Sequence, residues 1–450
     1  MLTLSATAQA LNGFFNGTDA EFSAVTTDTR VLQRGDLFVA LIGPNFDGHG
    51  FLGEAQAKGA AGALVSRAIQ ESIATITVAD TRFALGQLAA HWRGRFSIPV
   101  VAVTGSNGKT TVKNMLAAIM AETGAGLATQ GNLNNDIGVP LTLLRLKHGD
   151  RYAVIEMGMN HSGEIEYLTR LTRPTVALIT NAGEAHLAGL GSIEAVARAK
   201  GEIFSGLAQD GVAVINVDDA HAGMWRTLAA PRRCLSFGLQ HPADVSADYT
   251  IAITGSIIRL KTSLGESEIR LSLLGKHNVM NALAAAAASL AAGVKLHDIR
   301  NGLEKLKTIS GRLEIKKGAN GARVLDDTYN ANPSSLVAGV EVLKEADGER
   351  VLVLGDMAEL GATAADIHRR AGELARQLGV HKLYAVGELS RNAVTGFGDG
   401  AHHYRSQEEL VEALLIAMHS DMTVLVKGSR VMRMEKVVEK ITASSNKRDD

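Results

Sequence analysis

Short, nearly continuous apolar runs alternate along this chain with longer stretches of helical period. Residues 36–42 (DLFVALI) read as a strand, 51–58 as a helix, and 62–66 and 74–78 as further strands. Asp80 is placed to cap a helix running to about residue 96, and Ile98-Pro99 breaks that helix. Residues 100–104 then form an apolar strand that runs straight into a glycine-rich loop, with a helix from Thr110. Further strands are expected at 152–156, 175–180 and 212–216, and an antiparallel segment at 248–263. Two helices, from about Asn278 to about residue 307, close this region. Beyond residue 309, strands at 324–326, 350–354, 382–386 and 423–426 again alternate with helices. Apolar strands separated by helices are the pattern of parallel sheets covered on both faces. The expected fold is α/β with three domains. These are a small N-terminal α/β domain (1–98), a central phosphate-loop ATPase domain with a mostly parallel sheet (99–310), and a C-terminal Rossmann-like, doubly wound domain (311–450).

At about 150 residues per domain, a length of 450 residues agrees with that division. The balance of 46 basic against 47 acidic residues removes the electrostatic case for a nucleic-acid partner. The longest apolar run, 282–294, is mostly alanine and shorter than the ~20 residues of a membrane span, so no membrane insertion is expected. No Lys or Arg precedes Arg30, so a basic signal-peptide start is missing. With one cysteine, Cys234, no intramolecular disulfide can form. These features lead us to expect a cytoplasmic protein, and we expect it to be a monomer.

Residues 104–111 read TGSNGKTT. The backbone amides of such a loop point at phosphate oxygens, and the helix that follows adds its positive end. Gly105, Ser106, Asn107, Gly108, Lys109, Thr110 and Thr111 are therefore expected to bind ATP, with Lys109 on the outer phosphates and Thr110 on Mg²⁺. Val103 stands where the usual pattern has its first glycine, so the loop is a shortened variant. The stretch 131–138 (GNLNNDIG) suits neither helix nor strand and follows the loop's helix, which lets it approach the same site.

Glu156 ends the strand 152–156, and His186 follows the strand 175–180. In doubly wound sheets ligands sit beyond the carboxyl ends of the strands, which makes both residues Mg²⁺ candidates. Lys200 falls in the apolar stripe of a helix read over 192–207, between Val196 and Ile203, with Ser192 as N-cap. A lysine there either snorkels to water or works in the site. Beside a metal an ammonium is electrostatically unfavourable, and its neutral amine could add CO₂ to form an anionic, oxygen-bearing carbamate. Two motifs look functional but are set aside. Residues 350–356 (RVLVLGD) imitate a Walker-B strand from another domain, and His402-His403 is read as part of a polar surface loop.

TGSNGKTT, GNLNNDIG, Glu156, His186 and Lys200 occur in the order seen in the Mur ligases and folylpolyglutamate synthases, and the chain resembles that family over nearly its whole length. The stretches 273–287 (LLGKHNVMNALAAAA), 310–314 (SGRLE), 326–335 (DDTYNANPSS), 354–361 (LGDMAELG) and 426–430 (VKGSR) resemble the D-alanyl-D-alanine-adding branch of the Mur ligases. So do 26–30 (TTDTR) and 45–51 (NFDGHGF) near the start. The resemblance implies an ATP-dependent ligase of peptidoglycan precursor synthesis. It would phosphorylate the carboxylate of UDP-N-acetylmuramoyl-tripeptide and join it to the amine of D-alanyl-D-alanine. The resemblance further implies that Thr110 and Glu156 hold one Mg²⁺ and that His186 and a carbamylated Lys200 hold a second. His277, Asn278 and Asn281 would lie near adenine, and Arg312 and Asp327 would reach ATP from a third domain that closes over the site. Thr29, Arg30, Asn45 and His49 would hold the UDP-sugar, and Asn330, Asn332 and Lys427 the dipeptide. Lys109, His186, Lys200 and Arg312 would be the catalytic set. A ligase of the same family adding a single amino acid is the nearest alternative. The third tripeptide residue, diaminopimelate or lysine, is left open.

Overall fold

The computed structural model describes residues 2–70, 72–183, 187–252 and 254–443, and every structural statement below concerns these residues. The first sheet has five strands in the order Phe14–Asn16, Thr75–Thr77, Gly62–Val65, Leu37–Val39, Val25–Thr26. All of its pairings are parallel except that of Phe14–Asn16 with Thr75–Thr77. The edge strand Phe14–Asn16 and the helix Leu4–Ala10 before it were not anticipated, because Gly and Asn interrupt the apolar pattern there. The helix Thr81–Arg93 begins as expected, the Asp80 carboxylate accepting the backbone N–H groups of Arg82 and Phe83 at 2.7 and 3.0 Å.

The central sheet is six-stranded and parallel throughout. Its strand Val100–Thr104 lies between Val176–Ile179 and Ala153–Glu156, so three strand ends of interest emerge side by side. The antiparallel segment expected at 248–263 is larger than the sequence reading, forming a separate three-stranded sheet of Ser246–Ala252, Gly255–Thr262 and Gly265–Leu271. Five strands of the third sheet are parallel, and an antiparallel edge strand, Glu314–Lys317, completes it. His402 and His403 belong to its other edge strand, Ala401–Tyr404, and not to a loop. His403 Nε2 lies 2.7 Å from the Gly387 carbonyl, and the His402 ring lies against Tyr384.

One hydrophobic cluster runs from the first sheet (Leu37, Leu64) through Leu85, Leu88 and Trp92 into one face of the central sheet (Ala102, Ile155, Ile179). The other face packs on the alanine-rich helix Lys276–Ala291. The third sheet carries its own cores on its two faces. No helix among the described residues is long and apolar enough to cross a membrane.

Candidate active site

The loop after Val100–Thr104 folds by turning sharply at Gly105 and Gly108, whose φ angles are +154° and +80°. Side chains cannot stand at either point, since a Cβ would strike Thr180 Oγ1 at Gly105 and Asn281 Oδ1 at Gly108. The neighbouring strand end pins the loop. Ser106 N–H donates to the Asn181 carbonyl at 2.9 Å, and Asn107 N–H to Asn181 Oδ1 at 2.9 Å. The Thr180 hydroxyl donates to the Asn107 carbonyl at 2.6 Å. Lys109 Nζ bends back to the Gly105 carbonyl at 2.6 Å. Desolvation holds Lys109 below the usual lysine range, partly offset by Glu156.

Glu156 is 2% exposed at the end of Ala153–Glu156. Its Oε1 accepts from the Thr110 hydroxyl at 3.2 Å and from Asn134 Nδ2 at 2.9 Å. Its Oε2 is buried with no hydrogen-bond partner. An unpartnered buried carboxylate oxygen beside a hydroxyl is a hard-oxygen donor set that fits Mg²⁺. Among the described residues no group of three or more His, Cys, Asp or Glu is placed to hold a metal ion by itself. A nucleotide site needs none, because Mg²⁺ there is usually held by one or two carboxylates together with phosphate and water oxygens.

Lys200 lies on the helix Ile193–Gly201, capped by Ser192 Oγ, which accepts the Ala195 N–H at 3.1 Å. The α-helix is shorter than expected and continues as a 3₁₀ turn over Glu202–Gly206. Lys200 is 1% exposed among Val196, Ile203 and Phe204 neighbours in the stripe, so its amine does not snorkel to water. Burial and the nearby Lys109 ammonium push its pKa well below the ordinary value, favouring the neutral amine. His186 lies outside the described residues.

His277, Asn278 and Asn281 open the helix Lys276–Ala291. Asn278 Nδ2 donates to the Leu274 carbonyl at 2.8 Å, and Asn281 Nδ2 to Asn278 Oδ1 at 3.0 Å. Burial, with Lys427 and Arg312 nearby, lowers the His277 pKa to about 4. Arg312 stacks its guanidinium over the Tyr329 ring at 4.3 Å, and its Nε is buried without a partner. His277, Asn278, Asn281, Arg312 and Tyr329 line one cavity of about 1550 Å³ that spans the central and third units, together with Ser106, Asn107, Gly108, Lys109 and Thr111 of the phosphate loop, whereas Lys200 does not line it. Thr110, Glu156, Asp327, Asn330, Asn332 and Lys427 line it too.

Several expected ligands are already engaged. Lys427 Nζ, 2% exposed, donates to Asp327 Oδ2 at 2.5 Å and to the Asn330 carbonyl at 3.0 Å, forming a buried ion pair where a dipeptide contact was expected. Asn332 Oδ1 caps the helix Pro333–Lys344 by accepting the Ser335 N–H at 2.9 Å. Thr29, Arg30, Asn45 and His49 do not line the cavity. Thr29 donates to Glu54 at 3.0 Å, and Arg30 pairs with Asp28 at 2.7 Å, while Asn45 is exposed. His49 has both ring nitrogens in use, Nδ1 with Asp47 at 2.6 Å and Nε2 accepting the Ser66 N–H at 3.0 Å.

Sequence reasoning missed Asn181, Tyr329 and the ion pair of Arg82 with Asp136, which ties the helix Thr81–Arg93 to the 131–138 loop. Asn181 could have been found as the residue just past a parallel strand end, as Glu156 was. Tyr329 sits inside the 326–335 motif without being singled out there.

Two family profiles match this arrangement: the Mur ligase middle domain over residues 103–289, and the Mur ligase glutamate ligase domain over 311–430. The chain belongs to the Mur ligase family. It is 47% identical to the UDP-N-acetylmuramoyl-tripeptide–D-alanyl-D-alanine ligase of Escherichia coli (strain K12), with 97% of each chain covered. It is 36% identical to the ligase of that name from Bacillus subtilis (strain 168), with 93% of each covered. Among solved structures, MurF from Acinetobacter baumannii superposes with a TM-score of 0.93 at 38% identity, covering 98% of both chains. MurF from Thermotoga maritima in complex with ADP superposes with a TM-score of 0.84 at 28% identity, covering 94% of this chain and 98% of that one. The phosphate loop falls within the span of the first profile, and Arg312 and Asp327 within that of the second.

Proposed function

We propose that this Mur ligase joins D-alanyl-D-alanine to UDP-N-acetylmuramoyl-tripeptide at the expense of ATP, releasing the pentapeptide, ADP and phosphate. The reading rests on the activity for which its relatives are named and on one observation: the phosphate loop and the 326–335 motif line the same cavity. A carboxylate is a poor electrophile, so its oxygen first takes the γ-phosphoryl group from ATP, with ADP leaving. The amine of the dipeptide then attacks the acyl carbon, phosphate departs with the bond electrons, and the amine loses a proton.

Lys109 neutralises charge on the transferring phosphoryl group, and Gly105, Ser106, Asn107, Gly108, Thr110 and Thr111 cradle the phosphates with backbone amides and hydroxyls. Thr110 and Glu156 would hold Mg²⁺, which when bound supplies Lewis-acid charge neutralisation at the phosphates. Lys200 acts as a carbamate: its neutral nitrogen adds to the carbon of CO₂ and releases a proton, leaving one negative charge shared over two oxygens, and with His186 it would hold a second Mg²⁺. His277, Asn278 and Asn281 border the adenine, while Arg312 and Asp327 approach ATP from the third unit. Asn330 faces the dipeptide. Thr29, Arg30, Asn45 and His49 serve the UDP-sugar from the first unit. Residues 1–98, 99–310 and 311–450 are the three functional units, working in the cytoplasm.

The test is phosphate release and product mass with UDP-N-acetylmuramoyl-tripeptide, ATP and either D-alanyl-D-alanine or single amino acids. Tripeptides ending in diaminopimelate and in lysine are run in parallel. The expected product gains the dipeptide mass minus water. A product carrying one amino acid, or ATP turnover with no amide formed, would overturn the assignment.

A further inference from the structure

Asn107 is part of the phosphate loop, yet its side chain turns away from the loop's own atoms. Its Nδ2 donates to Ser334 Oγ at 2.8 Å, and its Oδ1 accepts from Asn332 Nδ2 at 2.8 Å. Ser334 Oγ in turn donates to Asn332 Oδ1 at 3.2 Å. These three bonds form a closed ring across the cavity, joining residues 225 and 227 positions apart.

The direction of every bond in the ring is set from one side. Asn332 is the N-cap of Pro333–Lys344, and its Oδ1 must accept the Ser335 N–H at 2.9 Å. A reciprocal bond, Asn332 N–H to Ser335 Oγ at 3.0 Å, holds the cap in place. Its amide nitrogen therefore faces the loop as a donor, and only an acceptor can meet it. Asn107 presents that acceptor and still has a donor left for Ser334. On the loop side the Asn107 backbone is fixed by Asn181 Oδ1 at 2.9 Å and Thr180 Oγ1 at 2.6 Å. The carboxamide thus bridges two rigid points, the phosphate loop and a helix N-terminus in the third unit.

We infer that Asn107 is a positioning residue. Its carboxamide sets the helix Pro333–Lys344, and with it the amine-binding wall, at the distance from the phosphate loop where the acyl phosphate forms. Asn332 and Ser334 act through Asn107, and neither is a ligand of the dipeptide. This inference rests on the ligase reading for its kinetic readout, but its structural readout stands apart from that reading.

Asn332→Ser keeps a helix-capping oxygen while removing the amide donor, so it breaks the ring and spares the helix. Asn107→Ala breaks it from the loop side. Asn107→Ala removes both bonds that cross the cavity and should raise the KM for D-alanyl-D-alanine about tenfold at saturating ATP, whereas Asn332→Ser removes one of them and should raise it about threefold. The double variant should be no worse than Asn107→Ala alone, because the bond that Asn332→Ser removes across the cavity is already gone in Asn107→Ala. The affinity of Asn332→Ser for ATP, measured by calorimetry, should be unchanged. A fluorescence pair on the exposed positions Arg226 and Glu412 should report a wider separation of the two units in both single variants. If Asn332 instead held the dipeptide directly, Asn107→Ala would leave that KM unchanged and the effects would add. That result, or an unchanged distance between the units, overturns the inference. Failure of the wild-type chain to use D-alanyl-D-alanine would strike the ligase reading alone, leaving the distance measurement to decide on the latch.

Discussion

Acidification tests the electrostatics of the cavity through His277. The ring is desolvated and lies near the cations Lys427 and Arg312, which lowers its pKa from 6.5 to about 4. Its Nε2 lies 3.2 Å from Asn278 Nδ2, a donor, which the neutral ring can accept and the protonated ring cannot. In the unfolded chain the same histidine takes a proton near pH 6.5, whereas the folded chain resists until about pH 4. The stability it contributes is therefore complete above pH 6.5 and is lost as pH falls towards 4 and below. At about 1.36 kcal/mol per pKa unit the full difference is about 3 kcal/mol, of which about 2 kcal/mol has gone by pH 5. The ring is partly exposed to the cavity, so solvent screening makes these figures upper values. Guanidinium unfolding of the native chain and of His277→Gln at pH 8 and pH 5 isolates the group. The native chain should lose up to about 2 kcal/mol more than the variant on going to pH 5. The imidazole resonance missing from the variant's NMR spectrum should titrate well below pH 6. Equal pH dependence in the two proteins, with that resonance titrating near 6.5, would refute the reasoning.

Lys109→Ala should reduce turnover by ~10²-fold or more with an unchanged melting curve, and retention of more than a few per cent of activity would remove Lys109 from phosphoryl transfer. Glu156→Gln should shift the Mg²⁺ requirement of ATP turnover to higher concentration, since it removes the charge behind the unpartnered Oε2; an unchanged Mg²⁺ titration would exclude Glu156 as a ligand. Lys200→Ala and Lys200→Arg should both be nearly inactive, the alanine variant regaining activity with millimolar formate or acetate, and ¹³C-bicarbonate should label the native chain but neither variant. Full activity in either would make Lys200 a packing residue. Arg312→Ala should lower turnover, and Arg312→Lys should not restore it, because an ammonium cannot stack flat on Tyr329; wild-type rates in the lysine variant would contradict this.

The elements that carry the phosphate loop were legible because parallel strands buried on both faces are written as unbroken apolar runs, such as VVAVT at 100–104. Lys200 was legible for a similar reason, since a charge in a 3.6-residue apolar stripe stands out. Edge strands were not. Phe14–Asn16 and Ala401–Tyr404 are short and half polar, so their pairing is decided by neighbours distant in sequence. The fate of polar side chains was hidden for the same reason. Nothing local tells that His49 will spend both nitrogens on Asp47 and Ser66, or that Lys427 will be claimed by Asp327. A motif names the residue types gathered at a site, but the accounting of their hydrogen bonds needs the fold.

The cores also indicate which boundary can move. Between the first two units, Leu85, Leu88 and Trp92 of one helix are buried in the cluster that includes Ala102 and Ile155, and each such side chain contributes about 1.5–3 kcal/mol on burial. Separating those units would expose this surface together, so they behave as one body. The third unit has separate cores, reached from the central unit by Leu274, while Gly275 makes a close approach to Val342. Across the cavity it is held by the ring of Asn107, Asn332 and Ser334, whose bonds are worth about 1 kcal/mol each. On the proposed ligase reading this boundary is the one that would open to admit two large substrates, and Arg312 and Asp327 stand on the third unit's side of it. On the proposed ligase reading, the position of this boundary gives a reason for dividing residues that bear on ATP between the central and third units: closing would bring Arg312 to the phosphates as it brings the amine to the acyl carbon, so that neither step would run far ahead of the other.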